Sequence, residues 1–566
     1  MTLLDRARRD PGLTFVVIAV VATVAIYAAT LGRGLVNYDD PWLVADNWLL
    51  QRPSWSTLHT IFFDLDSPRR LTLSPEYLPV RDLSIMADFA MWGDWYGGFH
   101  LTSLVCYVAA IVVWFYALAA FGIDRTLAGL AMLLWAVHPS HAESVAWIAE
   151  RKGVLGVMFA GACVLGYAKF RGGASMRWLA LAVIAAPLAV WSKAIAAFAI
   201  AAIVGLELAL PDGRVSWRRS LAGIAAIGIA GVLAYLPVLA LATDSGVVGL
   251  DSRTPAGRID TVLGTHGFYL RSAALLERNA VSYPISSLGP STLDIIVGAL
   301  GLAVVIAALV RYRRWAPPTA LRAAAVVWLF GWLPVSHLIL SLQMVFVADR
   351  YMLIPTLGSS LAIAGLLLRL PKSRLRALLV SVVVVASAVR ALDAQSNWRS
   401  SLTLWRRAVE SNRNDGSAWS FYAEALWDAG KRDASIEMVM RGLKHNRSPR
   451  LLLRKALLVL ELGQRSTGVE LMRQAALLGE PRAMANVALL LLDDGKLDEA
   501  LHWSRLVSRG TPSYAAGHRA HGKVALAAKL YEEAVVAFEA AYALEPHKPV
   551  NRYNLDLARA ELARQR

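Results

Sequence analysis

Leu13-Thr14-Phe15-Val16-Val17-Ile18-Ala19-Val20-Val21-Ala22-Thr23-Val24-Ala25-Ile26-Tyr27-Ala28-Ala29-Thr30-Leu31-Gly32 runs for twenty residues without a charged side chain. An α-helix needs about 20 residues to cross the hydrocarbon core of a bilayer. The run continues into Gly32-Arg33-Gly34-Leu35 without a small-x-small exit, so it reads as a retained span and not as a cleavable leader. Just beyond it, Asn37-Tyr38-Asp39-Asp40-Pro41 sets two carboxylates side by side. Acidic groups beside a bilayer are costly, so the pair asks for a functional explanation. At an outer membrane surface it could deprotonate an acceptor or hold a cation.

The whole chain follows its first span. Its 566 residues are 56% hydrophobic, with mean hydropathy +0.46, too apolar for an ordinary soluble protein. The two cysteines, Cys106 and Cys163, both lie in apolar runs and build neither a disulfide framework nor a cysteine metal site. The net charge of +16 invites a nucleic-acid partner. Much of it falls in short loops between apolar runs, where positive charge reports membrane orientation, so no nucleic acid is expected.

Apolar segments occur near 13–32, 99–121, 126–137, 153–168, 177–191, 194–211, 220–242, 292–310, 319–341, 350–369 and 376–393, about eleven in all. Segments 126–137 and 177–191 are short for a full span. Loop charge tests the count. Arg6, Arg8 and Arg9 precede the first segment; Lys169, Arg171 and Arg177, then Arg214, Arg218 and Arg219, then Arg311, Arg313 and Arg314, then Arg369, Lys372, Arg374 and Arg376 fill connections in one phase. That phase puts the N-terminus in the cytoplasm and, with an odd count, the C-terminal region outside. In a bacterium the chain would lie in the inner membrane with its C-terminal region in the periplasm.

The same phase gathers unusual polar groups on the outer face. The first outer loop, 33–98, carries Asp39, Asp40, Asp46, Asp64, Asp66, Glu76, Arg81 and Asp82. Its aromatic segments Trp42 to Ile61 and Ile85 to Trp95 suit amphipathic helices on the membrane surface. The second carries His138-Pro139-Ser140-His141-Ala142-Glu143 and Glu150-Arg151-Lys152; a third turn has Ser192-Lys193. A long outer loop, 243–291, holds His266, Tyr269, Arg271, Arg278 and Tyr283, and the last holds His337, Asp349, Arg350 and Tyr351. Such a set suits an anionic lipid head group together with a polar acceptor.

Past Asn397 the hydropathy falls and a repeat begins. Gly430, Gly463 and Gly495 recur, with Ala528 in the same phase, and similar helix starts follow, such as Lys496-Leu497-Asp498-Glu499-Ala500 and Leu530-Tyr531-Glu532-Glu533-Ala534. Pro449, Pro481, Pro512 and Pro546 close the units. A period near 34, with glycine between two helices and proline at the end, resembles tetratricopeptide repeats. About four units and a final helix, 548–566, fit. Stacked helix pairs bury faces that no unit buries alone, and such solenoids commonly bind polypeptide.

The motifs together carry a family resemblance. They are Val36-Asn37-Tyr38-Asp39-Asp40, Tyr77-Leu78-Pro79-Val80-Arg81, His138 to Trp147 running into Ala149-Glu150-Arg151-Lys152-Gly153-Val154-Leu155, Ser192-Lys193, Ala348-Asp349-Arg350-Tyr351 with Pro355, and Ser401-Leu402-Thr403-Leu404-Trp405. The chain resembles, over nearly its whole length, the polytopic tetratricopeptide proteins related to the transmembrane O-mannosyltransferases, within the GT-C glycosyltransferase superfamily. Members commonly follow Ser-Lys with Glu or Pro, where this chain has Ala194.

The expected fold is all-α: a GT-C-type membrane domain of about eleven transmembrane helices over 1–396, including outer loop 33–98, then a tetratricopeptide-repeat domain over 397–566. The resemblance implies a polyprenyl-phosphate-linked hexose as donor, mannose foremost, and Ser or Thr hydroxyls of exported proteins as acceptors. It implies inversion by a single displacement. A hydroxyl is a weak nucleophile near neutral pH, so a positioned carboxylate helps by taking its proton; Asp39 or Asp40 is that candidate. Arg350, Arg151, Lys152 and Lys193 are candidates for the lipid phosphate, Arg as a fork and Lys as a point charge. Tyr38, Arg81, His138, His141, Glu143, Glu150, Asp349 and Tyr351 are candidates for sugar or acceptor.

Each assignment has a structural alternative. Asp39-Asp40 before Pro41 also suits a helix cap. Asp349-Arg350 also suits a self-contained ion pair, and Arg151 and Lys152 suit anchors at a helix end. His138, His141 and Glu143 could hold a divalent metal if they converge. No cofactor is otherwise required beyond the lipid-linked donor. Two rival functions stay open: a scaffold that recruits periplasmic proteins through its repeats, and a GT-C enzyme that glycosylates a lipid or glycan.

Overall fold

The computed structural model describes residues 10–65, 68–74, 76–210, 215–244, 248–249, 255–275, 277, 279–310, 319–338, 341–342 and 345–565. Arg6, Arg8, Arg9, Asp66, Arg214, Arg278, Arg311, Arg313 and Arg314, invoked above, lie outside the described residues. The chain is helical, and its described strands are a two-residue antiparallel pair, Val248–Gly249 with Ser341–Leu342. It divides into two compact units. One comprises residues 1–36 and 75–404, the other residues 37–74 and 405–566.

The first unit is built from apolar helices: α1 (Pro11–Tyr27), α2 (Pro79–Trp92), α3 (Tyr96–Ala120), α4 (Arg125–Ala136), α5 (Ala142–Ala146), α6 (Arg151–Arg171), α7 (Met176–Ser192), α8 (Ala196–Ala209), α9 (Trp217–Asp244), α10 (Pro255–Ala273), α11 (Thr292–Val310), α12 (Thr319–Trp332), α13 (Pro355–Leu368) and α14 (Ser373–Ser396). Each of the eleven apolar segments read from the sequence has its helix. Among the described residues, six stretches are long and apolar enough to cross a membrane: Pro11–Gly32, Tyr96–Ala120, Ile148–Arg171, Trp217–Leu241, Thr292–Leu309 and Ser373–Arg399. Segments 126–137 and 177–191 are complete short helices, α4 and α7. The chain is a multi-pass membrane protein. The outward faces of α9 and α14 keep Ile229, Val232, Leu233, Val382, Val385 and Val389 exposed, as helices solvated by lipid do.

Local chemistry sets the ends. Asp10 caps α1 by accepting from the backbone N–H of Gly12 and Leu13, and also pairs with Arg125 at 2.6 Å. The stretch read as an outer loop over 243–291 contains the 19-residue helix α10. Glycine makes this possible: a Cβ on Gly267 would meet the Asp294 carbonyl oxygen at 1.9 Å, and one on Gly298 the Leu263 oxygen at 1.8 Å. Helices α10 and α11 therefore touch backbone to backbone, as small-residue seams in membrane bundles allow.

The second unit is a helical solenoid of the tetratricopeptide kind. Its pairs are α15 (Gly416–Asp428) with α16 (Arg432–His445), α17 (Pro449–Glu461) with α18 (Arg465–Leu477), α19 (Pro481–Asp493) with α20 (Leu497–Gly510), and α21 (Ala515–Ala527) with α22 (Tyr531–Leu544), closed by α23 (Pro549–Gln565). Gly430, Gly463 and Gly495 turn the chain between paired helices at φ of 73°, 77° and 74°, a region that costs glycine little. In the fourth pair the left-handed position falls on Lys529, at φ 58°, and not on Ala528 as the sequence phase suggested. Pro449 and Pro481 stand first in α17 and α19, where a missing N–H is no loss. Leu452, Ala456, Met472, Ala476, Ala488 and Leu491 share one core. Ion pairs such as Arg454–Glu424 and Arg505–Glu533 link successive repeats.

Residues 37–74 belong to this second unit, which departs from a single boundary near 396. The cause is aromatic packing. Trp405 stacks on Phe421 with ring centres 4.4 Å apart, Tyr38 meets Trp405 edge-on at 5.2 Å, and the Trp405 indole N–H donates to Asn37 Oδ1 at 2.6 Å. The Trp48 indole donates to the Leu544 carbonyl at 2.9 Å. Of the aromatic segments expected as surface helices, 42–61 yields a short helix Trp55–Phe62 with Trp55 exposed. Segment 85–95 instead forms the second half of α2 up to Trp92 and the turn after it; α2 buries Arg81, Asp82, Ile85 and Asp88.

Candidate functional site

The first unit collects charge where the turns between its helices meet. Turn 349–351, entering α13, brings Arg350 against Glu143 of α5. The Arg350 backbone N–H donates to Glu143 Oε2 at 2.9 Å, and its guanidinium pairs with Glu143 Oε1. Glu150, just before α6, accepts from Lys193 Nζ, which lies between α7 and α8. The other oxygen of Glu150 is 3.9 Å from Arg350 Nε. Lys152 pairs with Glu76 at 2.7 Å. The Tyr351 ring lies under both Lys193, at 5.6 Å, and Arg350, at 5.4 Å. Arg350 also faces Trp147 at 5.8 Å, and Trp147 stacks on Trp398 at 4.9 Å. Gly153, Gly156, Lys193, Arg350 and Tyr351 line a small cleft.

Three cations, Lys152, Lys193 and Arg350, thus meet three carboxylates, Glu76, Glu150 and Glu143. Glu143, Glu150, Lys193 and Arg350 are buried, and unpaired buried charges are costly, so pairing is what lets these four lie inside; Lys152 and Glu76 are half-buried. Burial alone would raise the Glu76 carboxyl, yet Lys152 and Arg81 bring it down to about 2. Burial pushes the Glu143 carboxyl up, against the pull of Arg350. Asp349 is not the ion-pair partner of Arg350. Its carboxyl oxygens accept from the Tyr283 hydroxyl at 2.6 Å and the Asn279 amide at 2.9 Å. Burial, with Glu143 nearby, raises it to about 8.

Other candidates go elsewhere. Arg151 is fully buried and commits its guanidinium to Asp88 at 2.5 Å, Ser103 Oγ at 2.9 Å and the Phe99 carbonyl at 2.6 Å. It braces α6 against α2 and α3, and it is not among the residues that line the cleft. Arg81 forks onto Asp82 at 2.9 and 2.6 Å. His141 bridges the Tyr107 hydroxyl at 2.6 Å and Thr356 Oγ1 at 2.7 Å, and His138 Nδ1 accepts from the Ser140 N–H. Burial holds His138 down to about 4 and His141 well below its ordinary value, so both are neutral hydrogen-bonding groups. With Glu143 on Arg350, the three do not converge. No group of three or more His, Cys, Asp or Glu side chains that could hold a metal occurs among the described residues.

Asp39, Asp40 and Tyr38 lie in the second unit. The Trp42 indole faces Asp39 Oδ1 at 3.4 Å. Asp40 is 2% exposed and precedes the turn Pro41–Ala45 without capping it through its side chain. Among residues not singled out as site candidates, Glu76 and Asp88 complete two ion pairs, and Tyr283 and Asn279 hold Asp349. An isolated Glu or Asp in a polar loop carries no sign of its partner, so only the three-dimensional pairing shows these roles.

No protein-family model matches the chain, and no curated protein matches it. Among solved structures it is similar to the arabinofuranosyltransferase AftD from Mycobacteria, at 16% identity and TM-score 0.40, covering 74% of this chain and 28% of that one. It is also similar to the Archaeoglobus fulgidus oligosaccharyltransferase AglB in complex with an inhibitory peptide and a dolichol-phosphate, at 15% identity and TM-score 0.38, covering 76% and 59%. A third is a chain of the APC/C hetero-tetramer Cut9-Hcn1, at 12% identity and TM-score 0.25, covering 90% and 93%. The chain therefore spans about a quarter of the first of these structures and about three-fifths of the second. None of these likenesses assigns an activity to this chain.

Proposed function

We propose that the protein is a membrane glycosyltransferase of the GT-C kind, moving a hexose from a polyprenyl-phosphate donor to Ser or Thr hydroxyls of exported proteins at the outer face of a bacterial inner membrane. One observation carries the reading: Lys193 and Arg350 flank a cleft at the ends of apolar helices, with Tyr351 beneath both. Two cations over an aromatic face suit a phosphate on a lipid tail. They would stabilise the charge that grows on the leaving phosphate as the glycosidic bond breaks. Asp39 or Asp40 would take the acceptor's proton, giving inversion in one displacement. The solenoid would present the polypeptide acceptor.

The test is direct. Purified protein in lipid nanodiscs is incubated with a panel of polyprenyl-phosphate hexoses and a periplasmic extract, with and without a chelator. Mass spectrometry is expected to find a hexose on Ser or Thr of exported proteins with one donor. Sugar on lipid or glycan alone would replace the protein acceptor. No transfer from any donor, with a phenotype that follows only the repeat surface, would make the protein a scaffold.

A further inference from the structure

Among the described residues, each of Lys152, Lys193 and Arg350 is already matched by a carboxylate, so an entering phosphodiester adds a negative charge to a balanced set. The two carboxylates nearest the cleft differ in how they are held. Glu143 gives one oxygen to the Arg350 backbone N–H and the other to its guanidinium. Glu150 gives only Oε1, to Lys193. Its Oε2 is buried without a hydrogen-bond partner among the described residues, 3.9 Å from Arg350 Nε. Glu150 itself is 1% exposed. Among the described residues, the charged and titratable groups around it are Lys193, Arg350, Lys152, Glu143 and Tyr351. A Cβ on Gly153 would sit 2.9 Å from Glu150 Oε1 and 3.4 Å from Lys193 Nζ. Glycine thus lets the pair pack closely against the first turn of α6, beside Leu353.

We propose that Glu150 yields Lys193 to the donor's phosphate, takes up one proton as it does so, and returns that proton to the phosphate during transfer. The inference rests on the phosphate-linked donor proposed above. A buried carboxylate that loses its cation beside a new anion is strongly favoured to protonate, because like charges cannot both stay ionised at close range. In the transfer step the bond from the anomeric carbon to the phosphate oxygen breaks, with its electron pair on that oxygen. The acceptor oxygen bonds the anomeric carbon and gives its proton to the base. The Glu150 proton passes to the departing phosphate, which leaves as a monoanion.

The probe is methyl farnesyl phosphate, a sugar-free phosphodiester with a single fixed charge near neutral pH, added to the full chain in nanodiscs. Calorimetry in buffers of different ionisation enthalpy counts the protons taken up. About one proton per diester is expected, with Kd weakening up to about tenfold per pH unit on the alkaline side. Glu150→Gln is expected to bind the diester without proton uptake and without that pH dependence. It should transfer sugar about 10²-fold more slowly or worse. Diester binding by the native protein without proton uptake, a measurement that needs no variant, overturns the inference and leaves the phosphate site standing. Uptake that persists in Glu150→Gln overturns the assignment to Glu150, and native turnover in that variant overturns the return of the proton. No diester binding at all overturns the phosphate site itself.

Discussion

Arg350 holds Glu143 twice, through its backbone N–H and its guanidinium, across 207 residues of chain. The double hold ties turn 349–351 to α5, and with it the cleft wall that Arg350 and Tyr351 provide. Arg350→Ala would leave a buried carboxylate without its cation, a change that costs roughly 3–5 kcal/mol. Thermal unfolding of the solubilised protein should show a clear fall. The double variant Arg350→Ala/Glu143→Gln, which removes both charges, should recover much of it. A native melting temperature in Arg350→Ala would mean that the pair does not brace this turn.

Asp349 gives a pH signature. Its carboxyl stands at about 8, against an ordinary 3.8, so the folded protein keeps a proton there that the unfolded chain releases. The stability it contributes is full below about 4 and declines as pH rises. It is gone once pH passes about 8, where both states are ionised. The melting temperature should therefore fall between pH 5 and about 8 by an increment that Asp349→Asn removes. An identical pH profile in Asp349→Asn would show that the buried carboxyl is not protonated near neutrality.

Lys529 occupies the left-handed position that glycine holds in the other three helix pairs. A side chain there is strained, by about 1 kcal/mol relative to glycine. Lys529→Gly should therefore stabilise the solenoid by up to about 0.6 kcal/mol, the relief of that strain less the roughly 0.4–1 kcal/mol of entropy that glycine adds to the unfolded chain. Chemical denaturation followed by the repeat-domain tryptophans would read this. A destabilised variant would mean that the lysine side chain contributes more than its backbone costs.

The same residue shows where sequence reading reached and where it stopped. Composition and period gave the eleven apolar helices and the paired repeats, because both are local signals repeated many times. Lys529 broke the glycine pattern, so the phase fell one residue early, on Ala528. Helix α10 was hidden because its 19 residues are only weakly apolar and it depends on Gly267 and Gly298 for a close partner. The packing of Tyr38 on Trp405 and of Trp48 on Leu544 joins positions hundreds of residues apart, and no period announces it. At the site, charge type was legible but pairing was not. Arg151 and Arg350 look alike in sequence; one is sealed against Asp88 and the other lines a cleft.

Exposure separates the two aspartates proposed for proton transfer. A general base has to meet the acceptor hydroxyl, and Asp39 is half-buried where Asp40 is buried. Asp39→Asn should therefore lower turnover by about 10²–10⁴-fold, while melting temperature and binding of methyl farnesyl phosphate stay native. Asp40→Asn should act mainly on melting temperature. Steady-state transfer with the donor identified by mass spectrometry, run beside both controls, distinguishes the roles. Loss of turnover confined to Asp40→Asn would move the base to Asp40. Native turnover in both variants would remove the pair from the chemistry and leave Asp39 and Asp40 as structural groups of the second unit.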